Sequence, residues 1–236
     1  MKRLLALAAA LAVTSAPAAA QDVWGWSIII PSVARTDILG QELSRRMAQP
    51  PSTPAAQAPA AATSLTYKPS AERRAANFKR FVDQRRAADP ATARELQALL
   101  AQPDLMAQIG QEMRKRGLRP DNLADAFAIW WVQTWQTAHG QVDDPSPAAM
   151  AAVKAQAQAA FLASPSLLSA SDGDKQEMAE GMLIQAAILG TALEQVKSNP
   201  AQVRALGQMA RQTAGQVGLD LDAMTLTDKG FSRGAG

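Results

Sequence analysis

Apolar residues recur at intervals of three and four through most of the chain after Tyr67, which is the spacing of one face of an α-helix. Residues that favour helix starts precede these runs, among them Ser70, the pair Asp89–Pro90 and the pair Asn199–Pro200. The predicted fold class is therefore all-α, a helical bundle of about seven helices. We place these helices at about 71–87, 90–100, 103–117, 121 or 122 to 138, 147–162, 172 or 174 to 197, and 200 to 215 or 218.

Two of these segments are apolar on more than one side. In the segment 121–138, Phe127, Trp131 and Trp135 share one face, and Trp130 lies off that face. The segment 181–193 is apolar nearly all round. Helices without a polar face belong in the middle of a bundle, so we expect these two to be central and to pack on each other. The tryptophans are expected in the core rather than in a sugar-stacking platform.

The first twenty residues have the layout of a secretory signal peptide. Lys2 and Arg3 form a basic start, residues 4–13 form an apolar core too short to span a bilayer, and residues 18–20 are alanines that suit cleavage. We expect cleavage near Ala20 and a mature protein that is exported, either periplasmic or secreted. No later stretch is long enough and apolar enough to predict a transmembrane span.

The residues between the leader and the helices divide into two parts. The segment 21–47 opens with an aromatic and β-branched run that predicts a short strand, followed from Thr36 by a short helix that carries Leu43 and Met47. The Pro- and Ala-rich stretch that follows has the composition of a disordered linker. The predicted division is a signal peptide (1–20), an N-terminal apolar segment (21–47), a linker (48–66), a helical domain (67–231) and a disordered tail (232–236).

The strand-like run of the N-terminal segment has two interpretations. It docks on the helical domain as an extra layer, or it engages a partner by strand addition. Its large apolar side chains are interaction candidates, namely Trp24, Trp26, Ile28, Ile29 and Ile30.

Charge is distributed unevenly along the chain. Residues 66–119 contain 12 basic and 6 acidic residues, and residues 120–236 contain 7 basic and 12 acidic ones. Two such halves either pair as complementary faces of one fold or steer head-to-tail association. The cations of the first long helix, Arg73, Arg74, Lys79 and Arg80, are interaction candidates for weak association with an anionic surface. They spread around the helix without interleaved stacking aromatics, so we expect no nucleic-acid binding.

Few residues of the sequence are candidates for catalysis or metal binding. The chain has no cysteine and one histidine, so a zinc site and most nucleophilic schemes lack ligands or bases. His139 precedes Gly140, where an imidazole at a helix C-terminus bonds a terminal carbonyl. Asp172 and Asp174 are weak calcium candidates, and a turn with a helix cap explains them better.

A pair of carboxylates is the remaining catalytic candidate. Glu177 and Glu180 lie three residues apart, on one face of the predicted long helix. Two carboxylates facing a cleft suffice for glycoside hydrolysis, and a partly buried one would serve as the acid. First-turn acids are also ordinary at a helix N-terminus, because they complement the helix dipole.

Three tracts carry a resemblance to a known family. They are residues 122–140 (NLADAFAIWWVQTWQTAHG), 65–70 (LTYKPS) and 226–231 (LTDKGF). With these tracts the chain resembles domain of unknown function 6683, an uncharacterised secreted bacterial family. The resemblance implies a signal peptide, a variable Pro/Ala-rich stretch and an all-helical domain. It implies no activity, cofactor or catalytic residue.

The sequence favours an exported, non-enzymatic helical module that binds an envelope or extracellular protein. One alternative is a hydrolase that acts on an envelope polymer through Glu177 and Glu180. Another is a structural protein that associates with lipid or wall polymer through its basic half. We expect no cofactor and no resident metal.

Overall fold

The computed structural model describes residues 65–233. The predictions made for residues 1–64 and 234–236 lie outside the described residues. The described chain forms α1 (Ala71–Ala88), α2 (Pro90–Leu100), α3 (Leu105–Lys115), α4 (Leu123–His139), α5 (Pro147–Leu162), the one-turn helix α6 (Pro165–Leu168), α7 (Asp172–Val196), α8 (Pro200–Gln216), β1 (Met224–Thr227) and β2 (Gly230–Arg233). The predicted all-α class is confirmed, because seven long helices lie at the predicted places.

Side-chain caps explain where most of these helices begin. Ser70, Asn122 and Ser146 each accept a hydrogen bond from the backbone N–H three residues later, which satisfies a donor that the first turn leaves free. Helix α7 differs from the prediction, since its cap is Ser171 rather than Asp172 or Asp174. Asp174 instead completes a capping box, in which its carboxylate accepts from the N–H of Ser171.

Helices α4 and α7 form the centre of the bundle, as the sequence predicts. Every residue of α4 from Leu123 to Ala138 is buried, and α4 makes its most extensive contact with α7. Helices α5 and α8 pack on α4, and α1 packs on α7. Helix α2 packs chiefly on α1, so the α1–α2 hairpin lies at the edge of the described fold.

Several polar groups on the central helices are bonded within the core. The hydroxyls of Thr134 and Thr137 donate to carbonyls one turn earlier, and the indole N–H of Trp130 donates to Oε1 of Gln185 on α7 over 2.6 Å. Gly190 lets the two helices approach, since a Cβ there would lie 3.0 Å from Oε1 of Gln133. These bonds allow polar residues in a core without leaving them unsatisfied.

The packed domain includes the two residues before the predicted boundary at residue 67. Leu65 is fully buried, and its carbonyl accepts a hydrogen bond from the N–H of Leu123. The N–H of Tyr67 donates to the carbonyl of Asp121, so this stretch lies against the start of α4. The sequence prediction assigns Leu65 and Thr66 to the linker, because a single apolar residue among Thr and Ser gives no helical period.

The sequence prediction contains no C-terminal β-hairpin. Strands β1 and β2 pair antiparallel, with Leu226 opposite Phe231. Gly230 has φ +88°, which favours glycine after the two-residue turn. Because β2 runs through Ser232 and Arg233, the described structure extends two residues into the predicted tail.

Helix α7 is long, yet no helix within residues 65–233 has the length and hydropathy to cross a membrane.

Candidate functional site between α1 and α7

Glu180 is the best-enclosed carboxylate among the candidate residues. Its side chain is fully buried on α7, and it faces α1. Its Oε1 accepts from Nε of Arg74 over 2.8 Å and from Nε2 of Gln176 over 2.9 Å, and its Oε2 accepts from Nδ2 of Asn77 over 2.9 Å. A buried carboxylate is tolerated when its charge is paired and its oxygens are bonded, and both conditions hold here.

Gln176 connects Glu180 to the start of α1. Its Oε1 accepts from the N–H of Ser70 over 3.0 Å and from Nε of Arg73 over 3.1 Å. Its Nε2 donates to the carbonyl of Ser70 over 2.8 Å as well as to Glu180. The side-chain amide therefore pairs with both backbone groups of the residue that caps α1. Gln176 and Asn77 were missed at the sequence level, because isolated amides carry no positional signal.

The other candidate carboxylates on α7 also have partners. Both oxygens of Glu177 accept from Nη1 of Arg80, over 2.9 and 2.8 Å. Asp172 accepts from the N–H of Lys68 over 3.1 Å, and Asp174 belongs to the capping box. Glu177 and Glu180 thus both lie at the contact between α1 and α7, and each faces an arginine of α1.

The four candidate cations of α1 make bonds within the domain. Arg74 and Arg80 form ion pairs with α7, and Arg73 bonds Gln176 and the carbonyl of Lys68. Lys79 is paired with Asp83 on its own helix, and the hydrogen bond from Lys79 lowers the pKa of the Asp83 carboxyl. Two of the four, Arg74 and Arg80, thus pair the basic half of the chain with the acidic half.

Tyr67 lies close to this contact. Its hydroxyl donates to the carbonyl of Pro120 over 2.8 Å. Burial raises the pKa of Tyr67, and the negative charge of Glu180 raises it further. The phenol is therefore a hydrogen-bond donor that fixes the loop before α4, and it is poorly suited to deprotonation.

The aromatic residues of α4 form the core, as expected. Trp131 stacks on Phe231 of the hairpin with ring centroids 4.4 Å apart, and Trp135 donates its indole N–H to the carbonyl of Met224. His139 ends the helix as predicted, with Nδ1 at 2.9 Å from the carbonyl oxygen of Trp135. These rings are engaged in packing and do not form an open platform for a sugar.

The side-chain amide of Gln156 holds the hairpin against α5. Its Oε1 accepts from the N–H of Phe231 over 2.9 Å, and its Nε2 donates to the Phe231 carbonyl over 2.6 Å. A Cβ at Gly230 would lie 2.5 Å from that Oε1, so only glycine fits there. The alternation of Met224 and Leu226 with threonines, followed by a turn ending in Gly230, is the sequence signal that was overlooked.

An open groove runs along one side of the α1–α2 hairpin. It has a volume of about 420 Å³. A second, narrower space between α3, α4 and α7 has about 20 Å³, room for about one water molecule. The larger groove has an apolar floor and a polar rim, and its lining is Phe78, Lys79, Val82, Asp83, Arg86, Gln97, Leu100 and Ala101.

The part of the chain that the structure describes contains no cluster of side chains suited to binding a metal ion. Within residues 65–233, no group of three or more His, Asp or Glu side chains is placed to hold a metal ion. The weak calcium candidates Asp172 and Asp174 bond backbone and cap groups instead.

Comparison with known proteins gives one match. No curated protein and no solved structure matches the chain. The match to a family of unknown function, DUF6683, extends over residues 1–233. The chain, with its α4–α7 core and its C-terminal hairpin, therefore belongs to the DUF6683 family.

Proposed function

We propose that this protein is an exported, non-enzymatic interaction module of the bacterial cell envelope. In this proposal the helical domain is a rigid platform, and the N-terminal apolar segment (residues 21–47) is the arm that binds a partner protein. The secretory leader supports export, and the Pro- and Ala-rich linker supports a tethered arm.

The non-enzymatic part of the proposal rests on the contact between α1 and α7. Hydrolysis by two carboxylates requires both to face a substrate. The oxygens of Glu180 are bonded to Arg74, Asn77 and Gln176, and those of Glu177 are bonded to Arg80. These side chains join two helices more than 90 residues apart in sequence, so their chemistry supports a scaffold. The hydrolase alternative draws no support from this geometry.

The same contact weakens the proposal of a lipid- or wall-associating protein. That alternative relied on the cations of α1. Arg74 and Arg80 are paired with carboxylates of α7, and Lys79 is paired with Asp83. A cation already paired offers less attraction to an anionic surface than a free one, because its field is largely cancelled at a distance.

The arm supplies the binding chemistry in this proposal. Residues 23–30 combine two tryptophans with three consecutive isoleucines, a composition suited to an extended strand. Such a segment recognises a partner by adding a strand to an exposed sheet edge, where main-chain hydrogen bonds give affinity and side-chain pockets give specificity. The partner is thus an envelope or extracellular protein with an accessible β-edge.

In-cell cross-linking tests the proposal. The tagged full-length protein is cross-linked, captured from the envelope fraction and compared with a variant that lacks residues 21–47 but retains the leader. We expect one protein captured in stoichiometric amount by the full chain and lost with the deletion. Capture unchanged by the deletion, or an envelope polymer degraded by the pure protein, would overturn the proposal.

A further inference from the structure

The groove beside the α1–α2 hairpin has the shape of a site for a third helix. Phe78 and Val82 lie one turn apart on α1 and form its floor together with Leu100 at the end of α2. Phe78 is only half-buried, although it is a large apolar side chain. Charged residues, Lys79, Asp83 and Arg86, form the rim on α1. An apolar floor with a charged rim is typical of a surface that receives the apolar face of an amphipathic helix.

The described residues leave this side of the hairpin without a helical neighbour. Helix α2 makes its main contact with α1, and residues 65–233 place no further helix across Phe78 and Leu100. A helix in this position would turn the α1–α2 hairpin into a three-helix unit, which buries more apolar surface than two helices do.

The N-terminal chain contains a segment that fits. The sequence predicts a short helix over residues 36–47, and Leu39, Leu43 and Met47 follow at intervals of four. Phe78, Val82 and Arg86 follow the same interval on α1. Rows of residues at i, i+4 and i+8 interdigitate in the commonest class of helix packing. The apolar part of the α1 row is Phe78 and Val82, since Arg86 lies on the rim and donates to Asp83 and Gln97.

The connection to the domain is long enough for this arrangement. Residues 48–64 lie between the segment and the first described residue, and extended at about 3.1 Å each they span about 50 Å. Leu65 lies six residues before α1, and Val82 lies about 17 Å along α1 from Ala71. A tether of this length gives an effective concentration in the millimolar range, which favours docking within one chain.

We propose that residues 36–47 dock as an amphipathic helix in the groove formed by α1 and α2. The docked helix seats Leu39, Leu43 and Met47 over Phe78, Val82 and Leu100. In this arrangement residues 36–47 dock on the domain, and of the arm only residues 23–30 remain available to the partner. This inference goes beyond the proposed function and does not depend on the identity of the partner.

A disulfide between engineered cysteines tests the docking directly. The chain has no native cysteine, so an introduced pair is unique. The mature chain carrying Leu43→Cys and Val82→Cys is oxidised mildly and analysed by mass spectrometry, after circular dichroism of the reduced protein verifies folding. A matched control carries Leu43→Cys with Val203→Cys on α8, which lies outside the groove. We expect an intramolecular disulfide in the first variant and none in the control.

The other outcomes overturn the proposal. A disulfide between two chains would assign the groove to a second copy, equal yields in both variants would show an undocked arm, and no disulfide in a folded protein would exclude the contact. Hydrogen exchange gives a second readout without cysteines. We expect Leu39→Asp with Leu43→Asp to speed exchange in α2 at least about tenfold, and the exposed-face control Gln41→Asp to leave it unchanged.

Discussion

Arg74 on α1 donates from Nε to the fully buried carboxylate of Glu180 on α7 over 2.8 Å, although the two residues are 106 positions apart. This bond, with that of Asn77 to Glu180 and those between Gln176 and Ser70, fixes the α1–α2 hairpin to the central helix α7. Glu180, which the sequence pattern marks as a possible catalytic acid, therefore links α1 to α7 in the fold.

Substitution of Glu180 is expected to destabilise the domain strongly. Glu180→Ala leaves Arg74, Asn77 and Gln176 without their acceptor, and we expect a loss of about 2–4 kcal/mol in the free energy of unfolding. The matched control is Glu177→Ala, whose partner Arg80 is half-exposed, and its loss should be under about 1 kcal/mol. Urea unfolding followed by tryptophan fluorescence measures both. Equal losses in the two variants would contradict the assignment of Glu180 as the main tie.

Trp131 is expected to act in packing. Its side chain is fully buried and stacks on Phe231, so Trp131→Ala should cost about 3–5 kcal/mol and loosen the hairpin. Thermal unfolding by circular dichroism measures the loss, with the exposed Lys229→Ala as the control. An unchanged melting temperature together with lost binding to a glycan would instead support a sugar platform.

Asp89 connects the stability of α2 to pH. The hydrogen bond from the Thr92 hydroxyl, together with the N–H groups of Thr92 and Ala91, lowers the pKa of the Asp89 carboxyl in the folded protein. A folded-state pKa below the unfolded value of about 4 gives stability that is present above pH 4 and is lost as the pH falls through the folded-state pKa. This contribution is therefore absent at the lowest pH.

The test compares Asp89→Ala with Asp89→Asn. At pH 7 the alanine variant should lose more than about 1 kcal/mol of unfolding free energy, because the cap of α2 and the ion pair with the buried Arg85 are both lost, and the asparagine variant should lose less. The difference between wild type and Asp89→Asn should shrink as the pH falls through the folded-state pKa of Asp89, since the carboxyl then becomes neutral. A difference that stays constant with pH would refute the role of the charge.

The helices and the core could be predicted because their signals are local. Caps such as Ser70 and Asn122 act on residues three positions away. In the segment 121–138, apolar residues on more than one side of the helix predict its burial. The α1–α7 contact could not be predicted. The spacing of Glu177 and Glu180 is the same whether they face water, a substrate or two arginines of a distant helix. The hairpin has an alternating signal at Met224 and Leu226, but strands of four residues make that signal weak.

The most direct test of the account uses point variants of the full-length protein in the envelope capture experiment. One variant carries Trp24→Ala with Trp26→Ala in the arm, and the other carries Glu177→Gln in the domain. The account predicts that the arm variant loses the partner at an unchanged melting temperature, and that Glu177→Gln retains it. Retention by the arm variant, or loss with a folded Glu177→Gln protein, would contradict the division into a binding arm and a structural platform.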